Sequence, residues 1–147
     1  MDTTYTWHPG TYRIRSKWPV SVDLLPDELI SSWLIRTSRL NFCDPLTLTN
    51  KIWPKWRVWT MDLDRCIPAI KLQSLLTASG IPKKILDSAF LNQIALKISK
   101  RPPPTKAIWP FMLSLGSRNL RRSGGLQYCP ECLKVSPYYR IQWRLAW

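Results

Sequence analysis

Apolar side chains recur at helical spacing over residues 26–98, and this pattern predicts a mainly α-helical fold. We expect a first helix to begin at Pro26, because proline suits the first helical position and Asp27 and Glu28 would then lie at the positive end of the helix dipole. Asn41, in the left-handed conformation, is expected to end this helix. The apolar stripe of the helix consists of Leu29, Ile30, Trp33, Leu34 and Thr37.

A second run of apolar residues, between Leu72 and Ile98, is interrupted by Gly80 and Pro82. Glycine permits a tight turn and proline fixes the start of a helix, so the segment predicts two helices joined by a short turn. The second helix is expected to continue to Ile98. This arrangement is the sequence form of a helix-turn-helix, although any two packed helices produce a similar pattern. A short helix capped by Asp44 and the proline after it is expected upstream.

Prolines and glycines divide the chain into four predicted regions. Residues 1–22 are predicted to form a basic irregular arm, or simply a poorly ordered terminus. Residues 23–100 form the helix-turn-helix-like domain, and three successive prolines make residues 101–107 a linker. Residues 108–147 form a second unit, whose final stretch has a period that fits a strand and a helix equally.

The chain carries a large excess of positive charge. Its 147 residues include 22 Lys and Arg against 9 Asp and Glu, which gives a net charge of +13 and a pI near 10.1. Such a balance favours a polyanionic partner. Nucleic acid is favoured over a membrane because the charge is spread along the chain and no apolar run of about 18 residues occurs. Since no secretion signal begins the sequence, we expect a bacterial cytoplasmic protein whose cysteines are thiols or metal ligands.

Three groups of basic residues are candidate nucleic-acid contacts. Lys83 and Lys84 fall in the first turn of a predicted helix, where cations oppose the helix dipole and phosphates are favoured. They could equally be solvated surface residues. Lys55 and Arg57 alternate with tryptophans that either stack on bases or cover a small core, and we favour the core role. The third group, which precedes the cysteine motif, consists of Arg118, Arg121 and Arg122.

Cys129 and Cys132 have the Cys-x-x-Cys spacing of a zinc knuckle. A structural zinc ion needs four ligands, and this pair supplies two of them. The other thiol and imidazole candidates, Cys43, Cys66 and His8, do not form a second short-spaced pair. The segment is therefore predicted to be an incomplete zinc knuckle or ribbon, with zinc expected as a half site.

Catalysis is not expected. Asp62 and Asp64 could form a metal pair, but a third carboxylate for a two-metal nuclease site is not evident among the 9 acidic residues. In the simpler interpretation these aspartates cap a helix that begins near Asp64, or they bind basic residues nearby. The cysteine pair lacks the βαβ context of redox proteins. We therefore predict a protein that is not an enzyme.

Three segments of the chain resemble the TniQ/TnsD-type transposition proteins. The most specific is Leu126-Gln-Tyr-Cys-Pro-Glu-Cys-Leu133, which is followed by Pro137-Tyr-Tyr-Arg-Ile-Gln-Trp-Arg-Leu-Ala146. The other two are Pro26-Asp-Glu-Leu-Ile-Ser-Ser-Trp-Leu-Ile-Arg36, which is similar to the first helix of the family, and Trp59-Thr-Met-Asp-Leu-Asp64. The resemblance covers the chain from about Trp18 to its end, and three motifs in family order are hard to obtain by chance.

The resemblance implies a non-catalytic adaptor, which links specific DNA or a CRISPR effector complex to an AAA+ ATPase that recruits the transposase. It also implies that the helix-turn-helix contacts DNA or the guide complex, and that Cys129 and Cys132 are half of a zinc site. In the family the pattern continues past the position of Trp147 with Cys-Pro-x-His. The alternative expectations are a freestanding DNA-binding regulator and a truncated inactive remnant. A homodimer is a further expectation about partners.

Overall fold

The computed structural model describes residues 17–98, 112 and 127–145. The regular structure within these residues is helical and includes no strand, which confirms the predicted mainly α fold. The helices, numbered in chain order, are α1 Ile30–Leu40, α2 Pro45–Ile52, α3 Ala69–Ser79, α4 Lys83–Asp87, α5 Leu91–Ile98 and α6 Pro130–Val135. Short 3-10 turns occupy Val58–Thr60 and Ile141–Arg144. In the described part of the chain, no helix is long and apolar enough to cross a membrane.

Helix α1 lies at the centre of the fold. Its fully buried side chains are Ile30, Trp33, Leu34, Thr37 and Ser38. The predicted start at Pro26 is wrong, because the helix begins at Ile30. Asp27 has a left-handed backbone with a φ of 58°, and the Glu28 side chain turns inward, where it is buried. These residues therefore form a turn before the helix instead of its first turn.

Side-chain hydrogen bonds stabilise the connection between α1 and α2. Asn41 does not take the predicted left-handed conformation, since its φ is −96°, and Phe42 takes it instead with a φ of 55°. The Asn41 side chain is held by both backbone groups of Val20, at 2.8 Å and 3.0 Å. Asp44 caps α2 by accepting a 2.9 Å bond from the Thr47 amide, and a proline begins the helix, as predicted.

Helices α3, α4 and α5 occupy the predicted helix-turn-helix segment, but the second predicted helix is broken. Gly80 has a left-handed backbone with a φ of 70° and ends α3, as predicted. The break lies at residues 88–90, between α4 and α5. The first amide of α5, that of Leu91, donates to the Asp64 carbonyl at 2.8 Å. A contact with a distant loop therefore overrides the continuous helix that local periodicity predicts.

The C-terminal segment, residues 127–145, packs against α1 and α5. Isolated bridges pair Glu28 with Arg140 and Met112 with Leu145. Between Arg140 and Leu145 the chain forms the 3-10 turn Ile141–Arg144. Within the described residues the strand alternative is therefore wrong, and the helix alternative is met only by this short 3-10 helix, where the ring of Trp143 lies 5.1 Å from that of Tyr139. Each bridge involves a single residue on each side, which is too short a pairing for a strand.

Two clusters of buried apolar side chains hold the fold together. The larger cluster joins α1, α2, α3 and α4, and Trp33, Trp53 and Leu75 are among its most buried members. The end of the predicted arm belongs to it as well, because the ring of Trp18 lies 5.7 Å from that of Trp33. The smaller cluster joins the C-terminal segment to the helices and consists of Leu29, Leu91, Ala95, Met112 and Ile141. Apolar stabilisation is therefore concentrated in the larger cluster, at about 1.5–3 kcal/mol for each large side chain that is fully buried.

Candidate nucleic-acid interface and cysteine pair

The turn between α3 and α4 presents two lysines to solvent. The Gly80 amide donates back into α3, and the buried Ile81 turns the chain toward the core. Pro82 then precedes α4, whose first two residues are Lys83 and Lys84. Both lysines are exposed, so the structure brings these predicted contact residues together at one helix end.

The surroundings of the two lysines differ. Lys83 forms an ion pair with Asp87 one turn along α4, so part of its charge is balanced locally. Lys84 is exposed beside this pair. Helix α4 has 5 residues and spans about 7.5 Å, which is short for a helix that lies along the major groove. This geometry suits phosphate contacts better than an extended reading of base edges.

The tryptophan-rich segment packs into the core, as the favoured interpretation predicts. The indole N–H of Trp53 donates to a backbone carbonyl of α3 at 2.9 Å, and that of Trp59 donates to the Thr49 hydroxyl at 3.0 Å. Trp53 is buried and Trp59 is half-buried. The two predicted contact residues between these rings, Lys55 and Arg57, are exposed at the surface.

Cys129 and Cys132 lie together at the start of α6. Cys129 caps this helix, since its sulfur accepts a 3.4 Å hydrogen bond from the Cys132 amide, and Pro130 occupies the first helical position. That amide bond is the main reason that the pKa of the Cys129 thiol is lowered, whereas the side-chain hydrogen bond with Cys129 raises the pKa of the Cys132 thiol. Two adjacent thiols at one turn fit half of a tetrahedral zinc site.

The other candidate ligands do not join this pair. Cys43 packs against the larger apolar cluster, and Cys66 lies in the loop before α3. Burial raises the pKa of the Cys66 thiol, which disfavours its thiolate. Across residues 17–98, 112 and 127–145, no group of three or more His, Cys, Asp or Glu side chains could hold a metal. The predicted residues outside the described ranges are His8, Arg118, Arg121 and Arg122.

Arg144 forms a buried ionic cluster with two aspartates, which the spacing of the motifs does not reveal. The Arg144 guanidinium donates to Asp62 at 2.6 Å and 3.1 Å and to Asp64 at 3.2 Å. The aspartates therefore bind a basic residue, as one of the two interpretations predicts, and this residue is distant in sequence. The helix expected to begin near Asp64 does not form. Asp64 instead holds the start of α1, because it accepts bonds from the amide and the hydroxyl of Ser31 at 2.8 Å and 2.9 Å.

A second buried ionic cluster joins Glu28 and Arg36. The Glu28 carboxylate is 1% exposed and accepts bonds from Arg36 at 2.8 Å and 3.0 Å. It also accepts a 3.1 Å bond from the Ser32 hydroxyl. In the sequence, Glu28 resembles a first-turn acid and Arg36 a helix-end cation. Because Glu28 lies in the turn before α1 and its side chain points inward, helical spacing does not reveal its pairing with Arg36.

Hydrogen bonds from Ser31 and Arg144 to the two aspartates bring the three motif segments together. Glu28 and Arg36 belong to the first segment, Asp62 and Asp64 to the second, and Arg144 to the third. Backbone hydrogen bonds add to the contact, because the Leu29 amide donates to the Tyr139 carbonyl at 3.1 Å and the Ile141 amide donates to the Asp27 carbonyl at 2.8 Å. The motifs therefore form a single junction that attaches the C-terminal segment to the helices.

The described residues thus form a mainly helical protein in which three separated motifs meet at one junction. A family model for TniQ matches residues 19–147, and the chain belongs to the TniQ family. TniQ is a family of non-catalytic transposition proteins, so the chain is a transposition-associated protein. No curated protein and no solved structure matches the chain.

Proposed function

We propose that this chain is a non-catalytic adaptor in DNA transposition, which links a target-recognition element to an AAA+ ATPase that recruits the transposase. The observation that carries the proposal is the TniQ match over residues 19–147, which includes all three converging motifs. Three acidic side chains of these motifs, Glu28, Asp62 and Asp64, are engaged in largely buried ion pairs, which suits a structural role better than catalysis. The proposed target is cytoplasmic DNA, alone or within a CRISPR effector complex.

The adaptor role predicts a complex with the AAA+ ATPase that the same mobile element encodes. The chain and the ATPase, mixed with ATP and a DNA duplex, are expected to co-elute in size-exclusion chromatography. An unrelated AAA+ protein is the matched control. The absence of a complex at micromolar concentrations would contradict the proposal. Light scattering on the chain alone gives its mass and tests the proposed homodimer.

Lys83 and Lys84 are proposed to contact DNA phosphates, and their exposure together with the net charge of +13 supports this role. The logarithm of the duplex affinity should fall with the logarithm of salt concentration, with a slope of about −0.9 for each phosphate contacted. The double variant Lys83→Gln/Lys84→Gln should reduce the magnitude of this slope by about 1 to 2. Lys134→Gln, an exposed position on α6, is the matched control. The other proposed contacts, which the same assay tests, are Lys55, Arg57, Arg118, Arg121 and Arg122.

A freestanding DNA-binding regulator is the second candidate function. The left-handed Gly80 that joins α3 to α4 favours it, because a tight glycine turn between two helices is typical of helix-turn-helix motifs. A regulator would select a defined duplex sequence from a random pool without the ATPase. A defined sequence motif combined with no ATPase complex would favour the regulator over the adaptor.

Cys129 and Cys132 are proposed as two ligands of a structural zinc ion, whose other ligands come from outside the described residues or from a partner. The adjacency of the thiols at the start of α6 supports this assignment. The ion would stabilise the local fold and take part in no chemical step. Elemental analysis should find about one zinc per site, which Cys129→Ser and Cys132→Ser remove. Cys43→Ser is the control and should retain zinc, because the Cys43 thiol instead donates a hydrogen bond to the Ser38 carbonyl at 3.6 Å. Equal zinc content in all variants would contradict the assignment.

A further inference from the structure

A cavity of about 570 Å³ lies between α1 and the C-terminal segment. This volume is in the range of sites that hold a small ligand or a few apolar side chains. Its apolar walls are formed by Ile35, Leu40, Leu133, Pro137 and Tyr138. The cavity is therefore lined on one side by a helix and on the other by the segment that the ionic junction attaches.

Most of the charged groups in the walls are already paired. Arg36 pairs with Glu28, and Asp64 pairs with Arg144. Arg39 differs, because it lies exposed near the end of α1 and forms no ion pair with the residues that the structure describes. The cavity therefore combines an apolar interior with an accessible positive charge at its edge.

The surface that adjoins the cavity is also apolar. Leu40, which lines the cavity, is 47% exposed, and Phe42 in the following turn is 95% exposed. Phe42 has a φ of 55°, a conformation that is unfavourable for a residue with a Cβ atom. Strained backbone conformations of this kind cluster at functional sites, where binding offsets their cost.

We propose that this cavity, which we call the α1 cavity and whose lining includes Arg39 and Leu40, binds an acidic segment of a protein partner. Apolar side chains of that segment fill the cavity, and one of its carboxylates pairs with Arg39. The net charge of +13 together with Arg39 favours an acidic partner over a second copy of this chain at this surface. Apolar walls do not suit nucleic acid, because phosphates inside them would lose their hydration without compensation.

Selection of peptides on the full chain tests this proposal. A random peptide library displayed on phage is panned against the protein, and enriched peptides are synthesised and titrated by fluorescence anisotropy. Enriched sequences are expected to combine Asp or Glu with Leu, Phe or Trp. Arg39→Gln and Leu40→Gln should each raise the Kd by about tenfold. Lys97→Gln, which removes an exposed cation of α5, is the matched control and should change the Kd by less than about twofold.

Arg39 and Leu40 are exposed, so both variants are expected to fold, which thermal melting checks. Enrichment of neutral or basic peptides, equal binding to all variants, or no enrichment would overturn the proposal. A dimer that Leu40→Gln dissociates would assign the surface to a second copy and would also overturn it. These assays contain neither DNA nor the ATPase, so their failure is distinct from failure of the adaptor role.

Discussion

The helical body, residues 17–98, and the C-terminal segment, residues 127–145, are held by different forces. The largest buried side chains of the body are apolar, and Trp33, Trp53 and Leu75 are at most 1% exposed. The segment is attached by the smaller apolar cluster and by Arg144, whose charge is buried against two aspartates of the body. Apolar burial is non-directional, whereas a buried ion pair depends on each partner. A single substitution should therefore detach the segment from the body while the body remains folded.

The family motifs lie at the junction between these two regions. Their charged residues pair across the junction or support the helix that faces it. The walls of the α1 cavity come from both regions, so the cavity requires the segment to be docked. We infer that the ionic junction supports both proposed sites. It holds the segment that carries the cysteine pair, and that segment forms the second wall of the α1 cavity.

The largest expected effect is that of Trp33→Ala in the body. The ring is fully buried and its indole N–H donates to the Val22 carbonyl at 2.9 Å, so the change leaves both a cavity and an unpaired carbonyl. We expect a loss of about 3–5 kcal/mol in the free energy of unfolding, measured by urea denaturation. Phe42→Ala, at an exposed position, is the control and should change it by less than about 0.5 kcal/mol. Similar losses in both variants would contradict a core centred on α1.

Arg144→Met should detach the C-terminal segment while the body remains folded. The change leaves Asp62 and Asp64 without their cation, at an expected loss of about 3 kcal/mol. In hydrogen exchange, amides of residues 139–145 should lose protection and amides of α3 should keep it. Arg144→Lys restores the charge without the forked contact to both carboxylates, so its effect should be smaller. Equal loss of protection in both regions would show that they unfold as one unit.

The pH dependence of stability should distinguish the junction from the apolar core. Burial raises the pKa of the Asp64 carboxyl above its ordinary value of 3.8, although the Ser31 amide and the Arg144 charge act in the opposite direction. Between the unfolded and folded pKa values the folded state binds more protons than the unfolded state. The contribution of Asp64 to stability therefore falls as the pH rises through this window, with a slope of at most about 1.4 kcal/mol per pH unit.

Urea denaturation of the wild type and of Asp64→Asn across the acidic range measures this slope. The difference in the free energy of unfolding between the two proteins should change with pH inside the window between the two pKa values and be constant outside it. A difference that is independent of pH would contradict the assigned direction of the pKa shift.

Features of the fold that depend on adjacent residues are predictable from the sequence. Gly80 ends α3, and Asp44 begins α2, because a left-handed turn and a helix cap involve a few consecutive residues. The start of α1 and the unbroken second helix are predicted wrongly for the opposite reason. Glu28 pairs with Arg36 and bridges to Arg140, and these contacts replace the first helical turn that its charge suggests.

The candidate site is predictable in its parts but not in its assembly. The Cys-x-x-Cys spacing places two thiols at one turn, and the structure shows them there. Asp62 and Arg144 are separated by 82 residues, and no local period encodes a contact over that distance. The resemblance identifies both residues as members of motifs without showing that they touch. The α1 cavity could not be predicted for the same reason, since its walls meet only in the folded chain.

The smallest expected effect is at Asp44, which belongs to the body and not to the junction. Its carboxylate accepts bonds from the amide and the hydroxyl of Thr47, and the hydroxyl bond is the main reason that its pKa is lowered from 3.8. A lowered pKa gives a contribution to stability that is present above the unfolded pKa and is lost as the pH falls through the folded one. Asp44→Ala should therefore lower the Tm by a few degrees at neutral pH and by less in acid.

Asp44→Asn keeps a capping oxygen without the charge, so it should retain most of the Tm and lose its pH dependence. The Asp44 and Asp64 dependences have opposite signs, because one pKa is lowered and the other is raised. Hydrogen exchange at two pH values assigns each dependence to its region. A loss of amide protection in residues 139–145 of Asp44→Ala as large as the loss in α2 would mean that the body and the segment unfold as one unit. That result would contradict a separate stability for the segment.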